Sequence, residues 1–539
     1  MKRLVSMLMA VALLMCVFPV LGEPTNSNQL SDPRVRKALT YAIDMQAIID
    51  GLMQGKATEA ITMAPPGDWR ADDLTAYEYD PDKAMALLQE ANWDSNRVLD
   101  VVYYYGDQMT VDLLTAIQAY WEMVGVKMEM RKLEGDLASQ LWVPPSDPVN
   151  GPSAVDWDLA YAAVAALSMG DYYDRYQGGY SSNSYNPQDD KLDALIAATN
   201  ATADVDEQIK AYHDLERYEN EIQVNIPLYH QPVFIVESNR LDRGDAPYGN
   251  EQYIYNWDIV NWDIEPDANG KKVLLTNGGP MEFFETPFFN PGFLMSQKVL
   301  FDRLIIADEN LTPKYPGLAS EFSLSEDGLT FEFTLRDGIK WHDGDDITTD
   351  DVIGSIELAT KAVTNPVLLT TFKAIEGYED YASGAAESMS GITVDGNKVT
   401  IKFANINPNV LLTFTQFAPL PMKYFKDVDP LLLQQADYWQ SPVGSGPFKV
   451  KEVKMGEYAT FERFEDYYGG QAKIEEIRMY PSGESDANLA KNAAAGQVDY
   501  AYTKSVEDVI ALEQMDHLKV TTVDVRYTRL FYVNKFPQK

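Results

Sequence analysis

Apolar residues recur at helical spacing after Asp32-Pro33: Val35, Ala38, Leu39, Ala42, Ile43, Ala47 and Ile48 fall on one side of a predicted helix. Asp32 suits the N-cap and Pro33 the first turn. Asp80-Pro81-Asp82 opens a second helix, with Ala84, Leu87, Leu88 and Ala91 along one face. Leu113, Leu114, Ile117, Tyr120 and Trp121 make a third stripe, which Gly125 ends. The period then changes to two. Val126, Met128 and Met130 alternate with Lys127, Glu129 and Arg131, the mark of a strand. Trp157 to Ala166 predicts a buried strand, Asp189 to Tyr218 a helix, and Ile226-Pro227-Leu228-Tyr229 another strand. Helix followed by strand, repeated, is the grammar of α/β domains.

Two stretches interrupt this grammar. Pro144, Pro145, Pro148, Gly151 and Pro152 punctuate a loop from Pro144 to Val155, and Glu265 to Gly270 is a turn-rich linker. Beyond the linker, Lys272 to Thr276 predicts a strand. Leu329, Phe331, Phe333 and Leu335 alternate with polar residues in a half-buried strand, and Thr349 to Ala359 predicts a helix. There is no internal repeat and no low-complexity tract.

A chain of 539 residues implies two or three domains. The net charge of -38 excludes nucleic acid as a partner, since phosphate binding needs clustered Lys and Arg. Met1-Lys2-Arg3, the apolar run from Leu4 to Phe18 and the small Gly22 before Glu23 have the form of a secretory signal peptide, residues 1–22. The only cysteine, Cys16, lies inside it. Lipidation of Cys16 is the competing reading. Met15 is large for such a site and Val17 to Val20 make no polar tether, so cleavage near Gly22 fits better. A mature chain without cysteine has neither disulfides nor a thiolate metal site.

An enzyme is the opposing class. None of the four histidines, His213, His230, His342 and His517, neighbours a Gly-x-Ser-x-Gly nucleophile motif. A secreted glycoside hydrolase with two dispersed carboxylates stays open on motif grounds, because 82 acids offer many pairs. Gly444-Ser445-Gly446 lacks the lysine and helix of a phosphate loop. Trp341-His342-Asp343-Gly344 offers one His among loop acids, a poor metal set. No cofactor and no metal are expected.

Several strings together carry a resemblance. They are Pro316-Gly317-Leu318-Ala319, Asp327-Gly328-Leu329-Thr330-Phe331, Leu335-Arg336-Asp337-Gly338-Ile339-Lys340-Trp341-His342-Asp343-Gly344, Pro442 to Phe448 and Gly496-Gln497-Val498-Asp499. Asp32-Pro33-Arg34-Val35-Arg36-Lys37-Ala38-Leu39 and Tyr41-Ala42-Ile43-Asp44 belong with them. The chain resembles the peptide/nickel-type extracellular solute-binding proteins of ABC importers. The order departs from that family: the Leu-Arg-Asp-Gly strings normally come first and Asp-Pro-Arg-Val-Arg-Lys second. The sequence reads as circularly permuted, with the usual termini joined through Glu265 to Gly270 and Phe536 leading into Ser31.

The resemblance implies an α/β, two-lobed periplasmic-binding-protein-like fold (type II) with an inserted subdomain. The expected division is a ligand-binding lobe at 23–225, a main lobe with hinge strands at 226–299 and 436–530, a subdomain at 300–435 and a crossover strand at 531–539. It further implies a secreted monomer, in the periplasm or at the outer face of the cell membrane. Such a protein captures an oligopeptide and delivers it to a membrane permease, without catalysis. Oligosaccharides are the runner-up ligand, and nickel complexes rank lower with so few histidines.

Site residues follow from the same resemblance. Peptide binders of this kind place an Asp where Asp171 stands, to pair with the peptide ammonium; Asp174 is the neighbouring alternative, and a turn cap is the plain alternative for either. Tyr172, Tyr173 and Tyr176 offer aromatic walls, or ordinary packing. Asn277 and Gly278 end a strand that should face the cleft. Phe417 and Trp439 are candidates from the opposite lobe.

Overall fold

The structure is a computed structural model and describes residues 28–249, 258–279, 284–289, 295–481 and 489–538. The expected signal peptide and Cys16 lie outside these residues.

Two sheets organise the chain. The first has six strands in the order Thr58–Glu59, Ile226–His230, Tyr527–Val533, Leu159–Ala165, Val98–Tyr103 and Lys127–Lys132. Its last three strands run parallel, and Tyr527–Val533 pairs antiparallel with both of its neighbours. Both faces are covered. Phe531 and Val533 point into one core with Leu113, Ile117 and Trp121, while Leu530 and Tyr532 point into the other with Trp157 and Leu215. This explains why the central strands read as apolar runs rather than alternating ones.

The second sheet has seven strands: Phe448–Lys454, Tyr458–Arg463, Glu476–Pro481, Val273–Gly279, Tyr500–Thr503, Val233–Ser238 and Leu518–Val523. A four-stranded antiparallel sheet, built from Ala319–Leu324, Thr330–Leu335, Lys398–Lys402 and Ile392–Asp395, forms the inserted unit. Its Phe331 and Phe414 belong to the same continuous core as Leu274, Phe461 and Ile477 of the seven-stranded sheet. The insertion is therefore packed as part of the second lobe.

Aspartates start the helices. Asp32, Asp44, Asp80, Asp107, Asp189 and Asp204 each accept a backbone N–H of the first turn. The helix expected over Asp189 to Tyr218 is two helices, Asp190–Thr199 and Val205–Ile222. The break comes where the Asp204 side chain caps the second one.

Two segments join the lobes. One runs from His230 to Val233, the other from Val523 to Tyr527. They lie side by side, and the Gln231 N–H donates to the Tyr527 carbonyl at 2.9 Å. This corrects two expected boundaries. Ile226–His230 pairs inside the first sheet, so the lobe division falls after His230 rather than before Ile226. The crossover strand begins at Tyr527 rather than at 531.

The lobes also touch through apolar side chains next to the hinge, where the Ala166 N–H donates to the Arg526 carbonyl. Leu167 of the first lobe is buried against Leu311 and Leu412 of the second. Leu311 sits at the tip of a hairpin with φ +66°, a backbone conformation that disfavours leucine. The Asn28 side chain donates to the carbonyls of Asn534 and Phe536, each at 2.8 Å, and Ser31 is one turn further on. The Glu265 to Gly270 linker is an exposed turn, closed by Gly270 N–H on the Asp267 carbonyl, with Gly270 at φ +79°.

Candidate functional site

Parallel strands of both lobes end facing the same region, beside the hinge. In open α/β sheets, ligands sit beyond such strand ends. From the first lobe come Tyr104 and Tyr105, which follow Val98–Tyr103, and the Leu167 to Asp171 loop, which follows Leu159–Ala165. From the second come Asn277 and Gly278, and Lys504 after Tyr500–Thr503. Between them the hinge supplies Gln231 and Tyr527, and Arg529 follows two residues into the first-lobe strand.

Asp171 holds its own loop. Its Oδ2 accepts the N–H groups of Leu167 at 2.8 Å and Ser168 at 2.9 Å. Burial pushes its carboxyl above the usual range despite these bonds. Asp174 is pushed up to about 6 by burial, with the Asn200 amide at 3.4 Å as a weak partner. Both are half-buried.

The aromatic candidates are placed elsewhere. Tyr172, Tyr173 and Tyr176 are fully buried in the first lobe's core with Leu530 and Tyr532. The short helix Gly170–Tyr173 and the 3-10 turn Asp174–Tyr176 after it roll their rings beneath the loop, where Tyr173 donates to Glu216 at 2.7 Å and Tyr176 accepts from Asn225 at 2.9 Å. They do not wall the cleft. Phe417 and Trp439 are likewise core residues. Phe417 stacks on Phe288, and the Trp439 indole donates to the Leu433 carbonyl at 2.7 Å. Asn277 and Gly278 lie among the last residues of their strand, which runs on to Gly279 instead of stopping at Thr276. Asn277 is buried, with Nδ2 unpartnered among the described residues, and Gly278 has φ +99° against Met295.

His342 braces a turn. It accepts the Gly444 N–H on Nδ1 at 3.0 Å, and its Nε2 lies 2.9 Å from the Gly446 carbonyl. Burial pushes it down to about 4. Gly444 and Gly446 lie against the backbone of Val299 and Leu300 too closely for a side chain.

The sequence did not single out the group around Arg529. Its guanidinium lies 4.0 Å from the Tyr105 ring centre, with Tyr161 and Tyr527 also within reach. Its place directly before the apolar run Leu530 to Val533 was the available signal.

The profile of bacterial extracellular solute-binding proteins, family 5 (middle), matches residues 18–200 and 314–536. The chain belongs to that family. Among family-5 relatives, the dipeptide-binding protein of Escherichia coli is 25% identical over 245 residues, 43% of this chain and 45% of its own. The di/tripeptide-binding protein 4 of Pseudomonas aeruginosa is 26% identical over 250 residues, 44% of this chain and 46% of its own. The oligopeptide-binding protein AppA of Bacillus subtilis is 25% identical over 264 residues, 48% and 45%. The chain spans under half the length of these relatives. The solved structure of B. subtilis AppA with a nonapeptide aligns over 46% of each chain, at TM-score 0.38 and 20% identity. No helix among the described residues is long and apolar enough to cross a membrane.

Proposed function

We propose that this family-5 chain is the solute-binding component of an ABC importer. It works outside the cytoplasm, captures short peptides between its lobes and releases them to a membrane permease, with no catalysis. The observation that carries this reading is the cleft. Parallel strand ends of two lobes converge beside a two-segment hinge, an arrangement that closes on a ligand. The relatives named for dipeptides, di/tripeptides and oligopeptides supply the ligand class. The oligosaccharide reading has no support of this kind.

Asp171 and Asp174 are the proposed amine-side carboxylates, and Asn277 and Gly278 the proposed contacts from the second lobe. Native mass spectrometry of freshly purified protein, followed by titration with defined peptides and oligosaccharides, tests the reading. Peptide masses co-purifying and peptides binding unchanged are expected. Saccharide binding without peptide binding, or consumption of the added compound, refutes it.

The permuted order belongs to the same reading. The two ends of the described chain meet at Asn28 and Phe536, and the linker at Glu265 to Gly270 is exposed. Matches to under half of each relative accord with segments in exchanged order.

A further inference from the structure

Arg529 is 9% exposed and forms no ion pair with any described carboxylate. Its Nε donates to the Gln231 side-chain oxygen at 2.8 Å, and its Nη1 is buried with no hydrogen-bond partner. Taking a guanidinium out of water without a counter-charge is costly, and rings of tyrosine offset only part of that cost.

A purely structural arginine in this protein is treated differently. Arg36 is also buried, and its three nitrogens donate to the carbonyls of Gln223, Leu30 and Ile222. Every group there is satisfied within the chain. Arg529 is left incomplete, and it is left so at the junction of the lobes. Gln231, which holds its Nε, also donates to the Lys504 carbonyl at 2.7 Å across the hinge. The Lys504 ammonium lies over the Tyr527 ring at 4.2 Å, and Tyr527 is also stacked by Arg529. Tyr105, the ring over Arg529, stands at the end of a parallel strand and is half-buried.

We propose that Arg529 holds a carboxylate of the bound ligand, which completes the guanidinium when the lobes close. Arginine's planar fork matches a carboxylate, and the fixed Nε–Gln231 bond leaves the Nη side for it. This rests on the peptide reading above. A peptide offers that carboxylate either at its C-terminus or on a Glu or Asp side chain, and in either case Arg529 sets the ligand's polarity from the hinge side.

The test compares three probes by calorimetric titration of the whole protein: trialanine, trialanine amide and Ala-Glu-Ala amide. Trialanine should bind about thirtyfold or more tightly than its amide, the scale for losing one partner of a buried charge pair. Recovery of affinity by Ala-Glu-Ala amide assigns the site to a side-chain carboxylate, and no recovery assigns it to the terminal one. Arg529→Gln should erase the preference for acid over amide. Arg529→Lys, which keeps the charge and the buried stem, should reduce the preference without erasing it, and serves if the glutamine variant does not fold. Equal binding of all three probes overturns the inference and leaves the peptide reading standing. A preference that survives both substitutions also overturns it. Failure of every probe to bind overturns the peptide reading itself, and this inference with it.

Discussion

Asn28 and Phe536 are 508 positions apart and share a buried hydrogen bond of 2.8 Å from side-chain amide to backbone carbonyl. The same amide reaches the Asn534 carbonyl, so the start of the first helix is stitched to the end of the crossover strand. A gene rearranged to begin at Lys271, run through Gln538 directly into Asn28 and end at Glu265 should therefore fold. Circular dichroism should be unchanged and thermal unfolding within a few degrees, because the cut falls in an exposed turn. An insoluble or molten product would count against the permuted order.

Much of this architecture was legible because burial imposes pattern. Leu159–Ala165 reads as a strand from its apolar run because both its faces are covered. The Asp-Pro helix starts are legible because capping is local chemistry. The site was less legible. Sequence cannot say which way two short helical turns aim their rings, so aromatic walls and ordinary packing stay open for Tyr172, Tyr173 and Tyr176 until their burial in the core decides for packing. Ile226–His230 was assigned to the wrong lobe because sheet partnership depends on the distant Thr528 to Phe531 register. Arg529 gains meaning only from that register, which sets it opposite Tyr229 and brings Tyr105 over it.

Leu311 should act as a latch. It inserts from a hairpin tip of the second lobe against Leu167 of the first, beside Leu412. Leu311→Asn keeps a residue that tolerates positive φ and removes the apolar contact. The contact between the lobes should lose about 1.5–3 kcal/mol, the scale for exposing a leucine. X-ray scattering should show a larger radius without ligand, and stopped-flow should show faster peptide release. An unchanged radius together with an unchanged release rate would remove the latch role.

Asp171 has a structural duty that can be separated from ligand binding. Asp171→Ala orphans the N–H groups of Leu167 and Ser168 and should cost about 1–3 kcal/mol in urea unfolding. Asp171→Asn keeps an acceptor for both and should unfold like the wild type. If the carboxylate also holds a peptide ammonium, the asparagine variant should bind free-amine peptides more weakly by about 2–5 kcal/mol. N-acetylated peptides should bind wild type and variant alike. Equal binding of free and acetylated peptides to the wild type would leave Asp171 as a loop brace alone.

Glu216 and Glu219 are buried together, and this gives the protein a pH-dependent term. Burial, chiefly, pushes Glu216 up to about 7, and burial with the neighbouring Glu216 pushes Glu219 up to about 8, from the ordinary 4.5. Glu216 accepts from the Tyr173 hydroxyl and the Ala71 N–H, both at 2.7 Å. Glu219 meets Thr62 at 3.2 Å and Asn225 at 3.1 Å. The Lys535 ammonium nearby is pushed well below its usual range by burial and donates to the Val224 and Val533 carbonyls. Arg36 beyond it is held by carbonyls. A carboxyl whose folded pKa is raised binds its proton more tightly folded than unfolded. Its contribution is full below about 4.5 and is lost as pH rises through about 7 to 8. Lys535 carries the opposite sign and remains in wild type and variant, so the difference between them is the quantity to read. Glu219→Gln fixes the neutral form, accepts from Asn225 through oxygen and donates to Thr62 through nitrogen. Variant and wild type should unfold alike near pH 5. By pH 8.5 the variant should be the more stable by about 2 kcal/mol, a discounted share of the shift. Urea midpoints at pH 5, 7 and 8.5 check this, and parallel profiles across the series would show that Glu219 is ionised in the folded state throughout.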